Sequence, residues 1–294
     1  IYNVPFYVTG KLVSAALPRP LGKPDSVPKA VVTMSQSLIV AAIVFQIFRF
    51  GLLIAAPGPA LMAALTCAFG SLLWPYASFG FNQPLAALAV VSAMYLAVRG
   101  TRQGRPADIV WAGAWLGIGL LTRHEIALAA APIGFWLLAE PGRAHTARWK
   151  RLAAFAPGVL AAAGIWLAYN YVRFGNPLDS GYLRDPVPRF WSPITDGVGG
   201  LLFSPAASVL LYSPFAIFGA VGLGMLWRRD RTVAGALTAL SIGALVFYAS
   251  LGNWVAGRAY GSRYLLVILP LLGLGWAAFL DRMTHRARTM VFAV

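Results

Sequence analysis

Apolar residues fall in long blocks along this chain, and polar residues fall in short gaps between them. Nine apolar segments stand out, at about 31–49, 57–73, 84–98, 108–121, 124–138, 153–172, 206–227, 233–251 and 263–280. Neither the twofold alternation of a half-buried strand nor a one-sided stripe fits such blocks; uniform apolarity fits helices inside a bilayer. Several blocks fall short of the roughly 20 residues a span needs, which tilt or a cavity-lining position accommodates. The pattern predicts an all-α polytopic membrane bundle of about nine transmembrane segments. That count depends on splitting 108–138 at "LLTRHE", which puts Arg123, His124 and Glu125 at a hairpin tip instead of mid-bilayer, where each charge costs several kcal/mol.

Composition agrees. The 294 residues are 59% hydrophobic and 11% charged, with mean hydropathy +0.69; soluble domains carry about 25% charged residues. A single cysteine, Cys67, excludes a disulfide framework and a cysteine-based metal site. The net charge of +15 does not gather into the single patch or motif that nucleic-acid binding needs. Instead, fourteen of the 24 basic residues lie in five clusters: Arg49; Arg99, Arg102 and Arg105; Arg143, Arg148, Lys150 and Arg151; Arg228, Arg229 and Arg231; Arg282, Arg286 and Arg288. These occupy alternate gaps, so they mark the cytoplasmic side. The loops 74–83, 122–123, 173–205 and 252–262 then face outward. Residues 1–30 are too short and too interrupted by proline to span, and an interfacial amphipathic helix is expected there. That helix lies outside with Lys11, Arg19, Lys23 and Lys29, against the charge bias.

Chemical variety concentrates in the outward loops. They read "WPYASFGFNQP", "TRHE", "YNYVRFGNPLDSGYLRDPVPRFWSP" and "GNWVAGRAYGSRY". Arginine forks pair with phosphate oxygens, and aromatic rings stack on sugar faces, so a phosphorylated, sugar-bearing ligand suits this set. Simpler readings stand beside it. Trp74, Tyr76, Tyr182, Trp191 and Trp254 also suit an interfacial aromatic belt. Arg173, Arg258 and Arg263 also suit lipid headgroups, and His124 a helix cap. "DGVGGLLFSP" lacks the ending of a phosphate loop.

Five stretches, "GSLLWPYASFGFNQPLAAL", "LGIGLLTRHEIALAAAP", "YNYVRFGNPLDSGY", "GLLFSPAASVLLYSP" and "WVAGRAYGSRYLLVILP", taken in order, resemble bacterial GT-C glycosyltransferases of the protein O-mannosyltransferase and aminoarabinose transferase group (family 39-like). The resemblance covers roughly residues 1–280. It implies a GT-C-like helical bundle with extracytoplasmic loops and interfacial helices over a cavity. It implies transfer of a sugar from a polyprenyl-phosphate donor to a lipid, glycan or protein acceptor on the outer face of a bacterial inner membrane. Residues 1–30 correspond to the end of the first outer loop, and 31–294 to the transmembrane transferase domain. Relatives carry a catalytic Asp in that first loop; residues 1–24 contain no Asp or Glu, so the base is expected upstream of residue 1. Gln83 stands where relatives often have an acid, and a neutral amide is a poor base and a poor partner for a divalent cation. No cofactor is assigned; a divalent cation stays open but has no support from these residues. Ser262 replaces a common proline.

Arg123, Arg173 and Arg263 are the candidate ligands of the donor phosphate, where a cation would stabilise the departing anion. Arg263 is expected at the first turn of a membrane helix, whose N-terminus also favours an anion. His124, Glu125, Tyr76, Gln83, Asn170, Asp179, Tyr182, Trp254, Arg258 and Tyr264 are the candidate cavity residues. A transporter of lipid-linked sugars, or a non-catalytic relative of the same group, is the alternative reading.

Overall fold

A computed structural model describes residues 3–17, 23, 25–141, 145–181, 193–257 and 259–292, with the backbone alone at 145–146 and 285–292. The described residues are helical with no strand. In chain order the α-helices are α1 (Val4–Ala16), α2 (Ser26–Gly51), α3 (Pro57–Phe69), α4 (Leu73–Tyr76), α5 (Gln83–Arg102), α6 (Pro106–Thr122), α7 (Ala130–Ala139), α8 (His145–Phe174), α9 (Ile194–Phe203), α10 (Val209–Tyr212), α11 (Phe215–Leu226), α12 (Arg231–Ala249) and α13 (Leu269–Phe292). Tight 3-10 turns precede α7 (His124–Ala129) and α13 (Arg263–Val267).

Each of the nine apolar segments coincides with helix. Among the described residues, four helices are long and apolar enough to cross a membrane: Ser26–Gly51, Gln83–Arg102, Ala147–Phe174 and Arg231–Ala249. The others are shorter, except the 24-residue α13, so nine crossings do not follow from length and apolarity alone. The split at 108–138 is present: α6 stops at Thr122, and the chain tightens into the 3-10 turn before α7. The segment 206–227 departs from its expected form and breaks into α10 and α11. Pro214 supplies no amide hydrogen and disfavours helix at the residue before it. Ser213 there leaves helical torsions (φ −148°, ψ 68°), and its Oγ accepts from Leu72 N at 3.2 Å.

Small residues set the closest helix contact. A Cβ on Gly222 would lie 1.8 Å from the carbonyl oxygen of Gly275, so α11 and α13 pack backbone to backbone. Helix α5 runs through the centre, with Ala87, Val91, Met94 and Val98 fully buried. The expected N-terminal helix forms as α1. Its Val4, Val8 and Leu12 make one outward stripe, 56%, 48% and 67% exposed.

The bundle has two chemically different ends. At one end Arg99 makes a two-bonded pair with Asp108 at 2.6 and 2.7 Å. Arg102 bridges Glu140 at 2.9 Å and Asp230 at 2.7 Å, tying α5 to α7 and α12. Arg229 meets Asp281 at 2.7 Å, and Asp281 also accepts from Ala56 N. Arg49 stacks on Tyr95. Four of the five predicted basic clusters contribute to this end through Arg49, Arg99, Arg102, Arg151 and Arg229. The opposite end carries the 3-10 turns and the aromatic loops.

Candidate functional site

The opposite end is organised by the hairpin between α6 and α7. Where α6 stops, Arg123 adopts extended torsions and turns its guanidinium inward. It pairs with Glu125 and donates from Nη1 to Asn82 Oδ1 at 3.3 Å. Asn82 returns a bond to the Thr122 carbonyl at 3.1 Å, which fixes the hairpin against the start of α5. Glu125 Oε1 also accepts from Tyr248 of α12 at 3.2 Å. Tyr248 stacks on Tyr264 with ring centres 5.0 Å apart and planes 8° apart.

Tyr264 joins two arginines. Arg123 lies 5.3 Å and Arg263 5.6 Å from its ring centre. Arg263 also lies 4.8 Å from the ring of Phe81. The Arg263 Nε is buried without a hydrogen-bond partner among the described residues. The turn before it needs Gly261, whose φ is +60° and where a Cβ would meet Leu72 and Tyr212. Arg263 opens a five-residue 3-10 turn, not a long α-helix, so the expected helix-terminus contribution at that position falls away.

A polar cavity of about 380 Å³ lies on the other side of the hairpin. Arg123, His124, Glu125, Asn170 and Arg173 line it, with Asn82, Trp166 and Tyr169. His124 stacks on Trp166 at 5.9 Å. Burial, helped by the neighbouring Arg123 charge, pushes the His124 imidazole below its ordinary range, against the pull of Glu125. Arg173 lies against Tyr169 and Phe174 and enters no ion pair among the described residues. Asn170 is buried and donates to the Pro177 carbonyl at 3.1 Å, holding the loop after α8.

The remaining candidates are placed elsewhere. Tyr76 is fully buried, and its hydroxyl donates to the Tyr260 carbonyl at 3.0 Å. Burial pushes that phenol up to about 12, partly offset by the nearby Arg263 charge. It is a core brace beside Arg263, not part of a surface belt. Gln83 is buried at the first turn of α5, and its Oε1 has no partner among the described residues. Asp179 Oδ1 accepts from Gly181 N at 2.8 Å and shapes its own loop. Trp254 packs over Gly200 of α9. Tyr182, Trp191 and Arg258 lie outside the described residues. Tyr248, Trp166 and Tyr169 pack among these candidates although sequence reasoning did not select them. Among the described residues, no three of His, Cys, Asp and Glu gather in a way that could hold a metal ion.

The fold is that of the GT-C membrane glycosyltransferases. It matches ArnT from Cupriavidus metallidurans, solved bound to undecaprenyl phosphate, with TM-score 0.65 and 18% identity over 95% of this chain and 50% of that one. It also matches an oligosaccharyltransferase of Archaeoglobus fulgidus in the apo form, with TM-score 0.56 and 13% identity over 98% of this chain and 44% of that one. A third match is AglB of the same organism in complex with an inhibitory peptide and a dolichol-phosphate, with TM-score 0.55 and 13% identity over 99% and 44%. The chain therefore spans about half the length of the solved structures it resembles. Residues 24–172 match the family described as dolichyl-phosphate-mannose-protein mannosyltransferase, and the chain belongs to that family. No curated protein matches it in sequence.

Proposed function

We propose that this chain forms part of an enzyme that moves a sugar from a polyprenyl-phosphate donor to an acceptor on the outer face of a bacterial inner membrane. Family membership and fold supply the reaction class. ArnT and AglB were solved with polyprenyl phosphates, which makes that donor class the natural one here. The basic end faces the cytoplasm under the positive-inside bias, and the site end faces outward with α1 lying in the interface.

The observation that carries the reading is the charge balance around Tyr264. Two guanidiniums approach one ring, and Glu125 pairs with only one of them. Arg263, half-buried with an unpartnered Nε, is left to meet an anion. Breaking the bond between sugar and phosphate leaves negative charge on the phosphate, and a fixed cation that strengthens its contact as that charge grows lowers the barrier. Arg123 is oriented by Glu125 and Asn82, and Tyr264 and Phe81 hold Arg263 in place. Arg173 and the rings of Trp166 and Tyr169 suit the sugar or the acceptor in the polar cavity.

The test is turnover of a lipid-linked sugar by the full-length protein carrying Arg263→Lys, normalised to folded protein. Lysine keeps the charge and loses the planar fork, so turnover should fall at least tenfold. Near-normal turnover would remove Arg263 from the phosphate site and leave Arg173 or Arg123. Orientation has its own test in Gln103→Cys with Cys67 replaced: an impermeant reagent applied to intact cells should not label it, and labelling would invert the assignment of faces.

A further inference from the structure

Two apolar grooves of nearly equal size open on the sides of the bundle. One of about 730 Å³ runs between α2 and α3, and one of about 750 Å³ between α11 and α12. Among the described residues, no charged side chain lines the first, and the second ends on Arg228. We infer that the groove between α11 and α12 binds an anionic phospholipid of the leaflet at the basic end, with an acyl chain in the groove and the headgroup phosphate on Arg228 and Arg231. Its lining shares no residue with that of the polar cavity beside Arg123.

Ile217, Val221 and Gly224 follow one face of α11, and Ser241, Ile242 and Leu245 follow one face of α12. The wall they make is apolar, because Ser241 turns its hydroxyl onto the Leu237 carbonyl of its own helix at 2.8 Å. Ile217, Val221 and Ile242 are exposed, so no described helix covers the groove. From Ile217 to Leu226 α11 rises about 14 Å, close to the roughly 15 Å depth of one leaflet. The chemistry changes at the basic end. Trp227 lays its indole over Gly235 of α12, where a Cβ would meet the six-membered ring at 3.4 Å. Arg228 follows it, and Arg231 opens α12 one turn before Gly235, on the same face. Both arginines are exposed, and neither enters an ion pair among the described residues. The neighbouring carboxylates are already taken: Asp230 pairs with Arg102 at 2.7 Å, and Asp281 with Arg229 at 2.7 Å. Two unpaired guanidiniums, one from each helix, flank an indole at the mouth of an acyl-sized groove. That arrangement matches an anionic headgroup at the membrane surface. The groove between α2 and α3 has an indole in Trp74 but no cation, so it offers an anion nothing.

The test is lipid binding to the full-length protein in detergent, read by native mass spectrometry, with phosphatidylglycerol and phosphatidylcholine of the same acyl chains as probes. The unaltered protein should hold phosphatidylglycerol at least tenfold more tightly than phosphatidylcholine. Arg228→Gln combined with Arg231→Gln should remove most of that preference. Arg105→Gln combined with Lys150→Gln takes two charges from the same end of the bundle but away from the groove, and should keep it. Gly224→Leu fills the groove instead. A Cβ there meets nothing within 4 Å, and leucine replaces a helix-weakening residue, so the variant should fold. It should weaken both lipids at least fivefold and leave their ratio unchanged. Equal affinity for the two lipids in the unaltered protein overturns the inference. So does a loss of preference in the control pair as large as at Arg228 and Arg231, or unchanged binding in Gly224→Leu. Retention of neither lipid would show the groove covered by protein, and undecaprenyl phosphate displacing phosphatidylglycerol would hand the groove to the carrier; either result also overturns it.

Discussion

The two ends of the bundle use the same side chains to different effect. At the basic end, Arg99, Arg102 and Arg229 each have a carboxylate at 2.6 to 2.9 Å, and Asp108, Glu140, Asp230 and Asp281 are all engaged. At the other end Arg123 has Glu125, and neither Arg173 nor Arg263 enters an ion pair among the described residues. Matched pairs close a structure. Unmatched arginines held on aromatic rings keep their capacity for an anion, and such rings hold a guanidinium without neutralising it. The same residue type therefore reads as a clamp at Arg99, Arg102 and Arg229 and as a binding group at Arg263; Arg49 at the basic end also rests on an aromatic ring without an ion pair among the described residues, so stacking alone does not make a binding group.

The largest effect that would break this contrast is expected at the clamp. Glu140→Ala removes one of the two carboxylate partners of Arg102 and of Thr232 across α5, α7 and α12, leaving both with Asp230. Losing one member of a buried pair costs about 3 kcal/mol, at the lower end of the usual range because Arg102 is one-third exposed. Thermal unfolding in detergent should show a clear drop, with unchanged polyprenyl-phosphate affinity in the protein that remains folded. Altered affinity would mean that the ends are coupled.

Arg263→Ala should do the reverse. Loss of a charge-assisted contact is worth about 1.5–3 kcal/mol, so undecaprenyl-phosphate affinity should fall tenfold or more while the unfolding temperature holds. A fall in stability with unchanged affinity would make Arg263 a second clamp.

The site was partly legible in the sequence, and the reasons are physical. Arg123, His124 and Glu125 interrupt an apolar run, and ionisable residues in such a place need an explanation. Arg263 stood out because few charges neighbour it. Tyr248 and Trp166 sit inside apolar segments, where an aromatic side chain looks like core until its hydroxyl or ring finds a partner. Tyr76 misled for the opposite reason: a loop tyrosine resembles a surface belt, yet this one is fully buried and its hydroxyl donates to the Tyr260 carbonyl. The clamps were hidden by distance along the chain, since Arg102 and Asp230 are 128 positions apart. The helices themselves were readable from apolarity, and the break at Thr122 from local chemistry; the break at Ser213 was not, because Ser213–Pro214 lies inside an unbroken apolar block. The 3-10 start before α13 was not, because nothing in "GSRYLLV" separates it from an α-helical turn.

Glu125→Gln sharpens the contrast with a smaller effect. The amide keeps the shape and removes the charge that opposes an incoming anion. Phosphate affinity should tighten about fivefold, of order 1 kcal/mol, with a modest loss of stability. Weaker binding in isothermal titration would show that Glu125 serves mainly to hold Arg123 in place.

The smallest effect is expected at Arg229→Ala. Its pair with Asp281 is 54% exposed on the arginine side, and exposed pairs contribute about 0–1 kcal/mol. Unfolding temperature should barely move, and affinity should not move at all. A large loss would show that the pair with Asp281, which also fixes the start of α3, is worth far more than its exposure implies.

The most direct test compares undecaprenyl phosphate with undecaprenol, which carries the same chain without the charge, on the full-length protein and on its Arg263→Ala variant. The unaltered protein should bind the phosphate at least tenfold more tightly than the alcohol, and Arg263→Ala should remove most of that preference while leaving the alcohol's affinity unchanged. An unaltered protein that binds both equally, or a preference that survives Arg263→Ala intact, would contradict the assignment of the uncompensated arginine to the donor phosphate.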